Sequence, residues 1–150
     1  MAKRRRNYQT QWAGQFGVAH ELSRRGYLAT FTTGNAPATD LLCQSPFGIS
    51  FSVEVKSLSV KTYFLIQDHL LEPIPDRYLI FVFIPRTLTD KPEYYILTNK
   101  QFRRLMEEEK EAIKEAEKKR GKPYAEFSKG INYKVLASHN FRDAWASLPQ

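Results

Sequence analysis

The stretch Ile49-Ser50-Phe51-Ser52-Val53-Glu54-Val55-Lys56 alternates apolar and polar side chains without a break. A period of two suits a β-strand, whose successive side chains point to opposite faces. A helix would scatter the same residues around its circumference. The chain is therefore committed to a sheet in which Ile49, Phe51, Val53 and Val55 meet a core while Ser50, Ser52, Glu54 and Lys56 form a polar face. A Ser45-Pro46-Phe47-Gly48 turn precedes this strand, and residues 39–44 before it read as a second strand.

The remaining segments supply further layers. Residues 8–25 predict a helix, because at about 100° per residue Tyr8, Trp12, Phe16, Val18, Ala19 and Leu22 gather on one face. Gly26 stands where helices commonly stop. Residues 27–33 are rich in strand formers, and Gly34-Asn35-Ala36-Pro37 breaks that run as a loop. Residues 63–67, 78–84 and 94–97 read as three more strands, with the apolar run Phe81-Val82-Phe83-Ile84 at the sheet centre. Residues 99–120 predict a long helix with a thin apolar stripe through Phe102, Leu105, Met106, Ala112, Ile113 and Ala116. Its Glu/Lys-rich outer part reads as a solvated face, and Gly121-Lys122-Pro123 ends it. A short strand at 133–136 and a closing helix over 141–148, containing Trp145, complete the chain. Helix, then strands, then helices predicts an α/β or α+β domain. With 150 residues, one domain over 8–150 is expected behind a basic tail at 1–7.

Several function classes fall away on composition. At 42% hydrophobic and 26% charged, the chain is not of the disordered kind. No run of about 18 apolar residues offers a membrane span. Met1-Ala2-Lys3-Arg4-Arg5-Arg6 is not followed by an apolar stretch, so a secretory signal is not expected. A single cysteine, Cys43, excludes an intrachain disulfide, and with three scattered histidines it leaves no zinc set. A reducing cytoplasm is the expected compartment. The net charge of +7 suggests a polyanionic partner, and six Lys/Arg against one acid in residues 1–30 place +5 of it there. Lys3, Arg4, Arg5 and Arg6 read either as a solubilising tail or as a phosphate-contacting arm, with Arg24 and Arg25 as a second basic spot.

The constellation that carries chemistry is Asp40, thirteen residues, then Glu54-Val55-Lys56. Strand alternation puts Glu54 and Lys56 on one face, about 6.6 Å apart. Asp40 opens the neighbouring strand if the two form a hairpin, so two carboxylates and an ammonium converge. Two hard oxygen donors suit Mg²⁺, which keeps several waters. Such an ion can polarise a phosphate and lower the pKa of a bound water, and a lysine beside it can orient that water or offset developing charge. The competing interpretation is an exposed strand face with a cross-strand Lys–carboxylate pair.

These residues resemble the PD-(D/E)XK nuclease superfamily, whose core includes restriction endonucleases and archaeal Holliday-junction resolvases. The similarity runs through Gly14-Gln15-Phe16-Gly17, Glu21-Leu22-Ser23-Arg24-Arg25-Gly26-Tyr27, Gly34-Asn35-Ala36-Pro37, Asp40-Leu41-Leu42 and Val53-Glu54-Val55-Lys56-Ser57. Tyr78-Leu79-Ile80-Phe81-Val82 and Pro92-Glu93-Tyr94-Tyr95-Ile96 resemble a bacterial subgroup, so the likeness spans roughly residues 12–100. It implies a restriction-endonuclease-like core with a central mixed sheet flanked by helices. It also implies hydrolysis of DNA phosphodiesters that depends on Mg²⁺ or Mn²⁺. Asp40 and Glu54 become the metal ligands and Lys56 the catalytic lysine. Thr39 stands where the family's proline precedes the aspartate, with Pro37 two residues earlier. Gln15 stands where many members carry a glutamate, eleven residues before the helix-ending glycine.

On the helical wheel Gln15 lies between Leu22 and Ala19 on the inward face, whereas Glu21, about 240° further round, is expected in solvent. Gln15 then offers a neutral oxygen to the site or is a satisfied core amide. Either way a missing negative charge weakens cation binding. Other residues carry weaker signals. His20 reads as structural, His69 and His139 as solvated, and Cys43 as a core thiol. Lys61 and Gln67 follow the site strand, and Gly34 and Asn35 precede Asp40 in a turn or ligand loop. Three functional readings remain open: a DNA endonuclease, with RNA also open as substrate and a homodimer favoured if two strands are cut; a catalytically degenerate nucleic-acid-binding member; and a protein-interaction module using the long charged helix.

Overall fold

A computed structural model describes residues 7–32, 39–124 and 130–150. Helix α1 (Asn7–Arg24) leads into strands β1 (Leu28–Phe31), β2 (Leu41–Gln44) and β3 (Ser50–Leu58). After β4 (Tyr63–Leu65) and a 3-10 turn at Asp68–Leu71 come β5 (Arg77–Phe83), β6 (Glu93–Thr98) and helix α2 (Asn99–Arg120). Strand β7 (Gly130–Asn132), helix α3 (Tyr133–Ala137) and a 3-10 turn at Trp145–Ser147 close the chain.

The main sheet has five strands in the order β1-β2-β3-β5-β6, and β4 pairs with β7 in a separate ribbon. Strands β3 and β5 run parallel, while β1–β2, β2–β3 and β5–β6 are antiparallel. The fold is thus an α/β domain built on a mixed sheet flanked by helices. The site-bearing strand β3 is the middle strand, and β5, with its apolar run, lies beside it. Two hydrophobic clusters cover the two faces. Val18 and Leu22 of α1 pack with Leu41, Phe51, Val53, Val55, Ile80 and Ile96 on one side. Phe102 and Leu105 of α2 pack with Phe64, Leu79, Phe81, Leu97, Ile131 and Leu136 on the other. Among the described residues no helix is long and apolar enough to cross a membrane.

Helix α1 sits on the sheet differently from what its apolar pattern suggests. Its buried residues are Thr10, Gly14, Val18 and Leu22, four apart along one stripe, whereas Tyr8, Trp12 and Phe16 are exposed. The reason is the distance of closest approach. A Cβ on Gly14 would collide with Ser57 Oγ and stand 3.0 Å from Ser57 Cβ, and one on Gly17 would lie 2.5 Å from the Tyr94 hydroxyl oxygen. Backbone this close to a sheet excludes aromatic rings, so the rings turn outward. Glu21, expected in solvent, is instead half-buried and paired with Arg25 and Arg24.

Two other expectations fail for local reasons. Residues 133–137 form a helix and not a strand, because Asn132 ends β7 and its side chain accepts a hydrogen bond from Lys134 N, capping a new helix. Residues 141–148 form no continuous helix. Asp143 adopts a left-handed φ of 53° and donates its amide to Tyr94 O, so only an isolated bridge at Arg142 and one 3-10 turn result. Helix α2 matches its expected span. Thr98 and Gln101 form a capping box at its start, and Gly121 closes it in the left-handed conformation.

The contact between Gly14 and Ser57 can be tested. Gly14→Ala should destabilise by about 1–2 kcal/mol, the overpacking strain exceeding the gain in helix propensity. Adding Ser57→Ala should recover most of that loss in chemical denaturation. A Gly14→Ala midpoint at or above the native one would refute the tight packing.

Candidate active site

Strand β2 begins at Leu41, which pairs with Val53 of β3. Asp40, one residue earlier, donates its amide to Val53 O. Beyond that point β2 provides no ladder partner for β3, and the Asp40 side chain takes over. Its Oδ2 accepts the Val55 amide at 2.7 Å, and its Oδ1 accepts from Gln15 Nε2 of α1 at 3.1 Å. Asp40 thereby ties together β2, β3 and the first helix. Thr32, just after β1, holds the approach to Asp40 by donating its amide to Asp40 O and its hydroxyl to Thr39 O.

Across the strand pair, Glu54 and Lys56 lie on the same face, as alternation requires, and form an ion pair at 3.1 Å. Their parallel neighbours Leu79 and Phe81 belong to the cluster under α2; along this polar face Ser50 is exposed, Ser52 and Lys56 are half-buried and Glu54 is buried. Glu54 is only 6% exposed. An open strand face with a screened surface pair is therefore not what the fold contains. Burial and the neighbouring Glu54 charge together push the Asp40 carboxyl up to about 6, against the pull of Val55 N–H and Lys56.

A second cation at this face was not foreseen. Arg77, which opens β5 opposite Ser52, is 2% exposed. Its Nη2 donates to the carbonyls of His69, Leu70 and Glu72, while Nε and Nη1 have no hydrogen-bond partner. Burial lowers its pKa, and the charges of Glu54 and Glu72 oppose that shift. Arg77 thus fastens the 3-10 turn beneath the sheet and offsets the Glu54 charge. Nothing in the sequence distinguishes this arginine from a surface one, since it opens an apolar strand directly after a turn.

The structure sorts the other expected residues. Gln15 reaches Asp40, so its amide belongs to the site. Arg24 lies about 14 Å along the helix from Gln15. It pairs with Glu21, and Arg25 bonds Glu21 and stacks its guanidinium 4.5 Å from the Trp145 ring centre. Glu21 feels burial pulling it upward, but the Arg25 hydrogen bond and the two arginine charges outweigh this and lower its pKa. Lys61 lies over the rings of Phe83 and Tyr133. His69 is half-buried in the 3-10 turn, not solvated, while His20 and His139 are exposed. Cys43 is a buried thiol pushed up to about 12 by desolvation, which makes it a poor nucleophile. Lys3, Arg4, Arg5 and Arg6, and with them Gly34, Asn35 and Pro37, lie outside the described residues.

Two carboxylates meet here, and among the described residues no group of three His, Cys, Asp or Glu could hold a metal ion. Two carboxylates without a third Cys or His donor do not make a zinc set; an ion such as Mg²⁺ takes one or two carboxylates and keeps its waters. A scan against protein-family models finds no match to the chain, and a search of curated proteins finds none.

The Asp40 shift predicts a pH dependence in chelator. The folded protein holds a proton near pH 6 that the unfolded chain releases near its ordinary 3.8. Asp40 therefore supports stability most below pH 3.8 and loses that support as pH rises through about 6. Native protein should lose on the order of 2 kcal/mol relative to Asp40→Asn across that window. A constant difference between the two proteins would contradict the buried, repelled carboxylate.

Proposed function

We propose that this protein hydrolyses phosphodiester bonds in DNA with a divalent cation. The observation that carries the reading is the placement of Asp40 at the end of β2 beside the Glu54–Lys56 pair of β3, with Asp40 raised by burial and by Glu54. The resemblance to PD-(D/E)XK nucleases supports it from the sequence side. In this reading Asp40 and Glu54 hold Mg²⁺ or Mn²⁺. The bound ion would supply Lewis acidity toward the phosphate and lower the pKa of a coordinated water.

The chain's own groups do the rest. The Val55 amide and Gln15 hold the Asp40 carboxylate, one hydrogen bond to each oxygen, leaving each oxygen a further lone pair. Lys56, held by Glu54, orients the attacking water or offsets negative charge developing on the phosphate. Arg77 adds a buried positive charge that attracts the Glu54 carboxylate. The basic residues Lys3 to Arg6, with Arg24, raise the local concentration of a polyanion.

A second reading has one observation in its favour. Gln15 brings an amide to Asp40 where a further acid would strengthen cation binding. A chain of this kind could retain nucleic-acid binding and have lost hydrolysis.

Cleavage of single-stranded, duplex and branched DNA with Mg²⁺, Mn²⁺ or chelator separates the two. Lys56→Ala should cut at least about a hundredfold more slowly. It should also lose some stability, since it strands the Glu54 carboxylate. The pair Glu54→Gln with Lys56→Met should regain stability but not cleavage. Asp40→Ala should abolish the rise in melting temperature that Mn²⁺ produces in the native protein. Metal-independent cutting, or native rates in Lys56→Ala, would sink the hydrolytic mechanism. Metal-shifted melting without cutting would favour the binding reading, and Gln15→Glu should then tighten the cation.

A further inference from the structure

The outward turn of α1 leaves an aromatic surface beside the site. Trp12 and Phe16 are 48% and 56% exposed, and their rings stack at 5.3 Å with an interplanar angle of 26°. Phe31 of the edge strand β1 meets both edge-on, at 6.2 Å from Trp12 and 5.2 Å from Phe16. Tyr8, one turn before Trp12, is 53% exposed. Trp12, Phe16 and half-buried Phe31 thus form one contiguous ring cluster whose first two members are about half exposed.

Its position ties it to Asp40 twice. Phe16 follows Gln15, whose amide reaches Asp40, and Phe31 precedes Thr32, whose amide donates to Asp40 O. Its chemistry is uncharged, because residues 7–19 of α1 contain no Asp, Glu, Lys or Arg. Four of the chain's cations, Lys3 to Arg6, immediately precede this helix in the sequence. Flat apolar rings, in a chain whose basic run precedes them in the sequence, complement a strand of nucleic acid, whose bases have π-faces and whose phosphates are anionic. A second copy of the chain would instead bring another +7 charge.

We propose that Trp12, Phe16 and Phe31 form a stacking platform for unpaired bases of a DNA strand whose phosphate enters the Asp40–Glu54 site. The inference rests on the nucleic-acid reading above and specifies its substrate class. Bases within an intact duplex are already stacked on one another and cannot offer their faces. The preferred substrate is therefore single-stranded or locally unpaired.

Binding is measured in chelator, so no cleavage is required. The probes are an oligothymidylate of about 16 nucleotides and a mixed-sequence duplex of similar length. The native protein should bind the single strand more tightly, with quenching of its tryptophan emission. Trp145 is 7% exposed, so the quench reports Trp12. Trp12→Ala should weaken single-strand binding about tenfold and leave duplex binding within about twofold. Trp12→Phe should keep the affinity while losing the quench, which assigns the quench to Trp12. Unchanged single-strand affinity in both Trp12→Ala and Phe16→Ala would overturn the platform. So would concentration-dependent dimerisation, without nucleic acid, that Trp12→Ala abolishes. The two readings fail separately. Native cleavage in Lys56→Ala removes the hydrolytic mechanism and leaves the platform, whereas unchanged binding in Trp12→Ala and Phe16→Ala removes the platform alone.

Discussion

A carboxylate buried in the middle of a sheet constrains almost everything around it. Glu54 sits on the central strand, nearly out of water, with the α2 cluster packed over its face. An isolated ionised carboxylate there would be strongly disfavoured. Lys56, two residues along the same face, neutralises it directly. Arg77 on the parallel neighbour adds a second positive charge, and its three carbonyl acceptors lock the 3-10 turn that returns the chain from β4 to β5. The charge on Glu54 also reaches Asp40, whose carboxyl is raised in consequence. Apolar residues of similar volume would stabilise such a sheet at least as well as these ions do. Their presence is therefore better explained by chemistry at this position than by folding alone, which is the physical basis of the hydrolytic proposal.

Helix α1 serves both sides of this arrangement because its two faces are built from different residues. Gly14 and Gly17 let its backbone approach β3 and Tyr94 far more closely than side chains would allow. That approach carries Gln15 to within hydrogen-bonding distance of Asp40, although α1 packs on the sheet face opposite Glu54. Asp40 can join the two faces because it lies at the end of β2, where its side chain replaces a missing ladder partner. The same close approach expels Trp12 and Phe16 to the surface, where they meet Phe31. Site geometry and exposed aromatic surface are thus two results of one packing decision.

Local pattern was enough for much of this molecule. The alternation of residues 49–56 determined that β3 is a strand and that Glu54 and Lys56 share a face. The turn at Ser45–Gly48 made β2 its antiparallel neighbour, which brought Asp40 to the same end. Gly121 ended α2 where the sequence places its end. These features depend on periods and turn preferences that extend over a few residues, so a reader of the sequence can see them.

The tertiary structure alone decided which side of each element is buried. The aromatic stripe of α1 looked like its inner face, but glycine-mediated contact with β3 outweighed the apolar stripe. The polar face of β3 looked open, but Glu54 is buried on it and Ser52 and Lys56 are half-buried. Arg77 carried no local mark of burial, and residues 133–137 became helical through the Asn132 cap despite their strand-like composition. Each of these outcomes depends on which surfaces meet across dozens of residues of chain. Periodicity records how side chains alternate along an element, whereas steric approach and charge compensation between elements determine what each face touches.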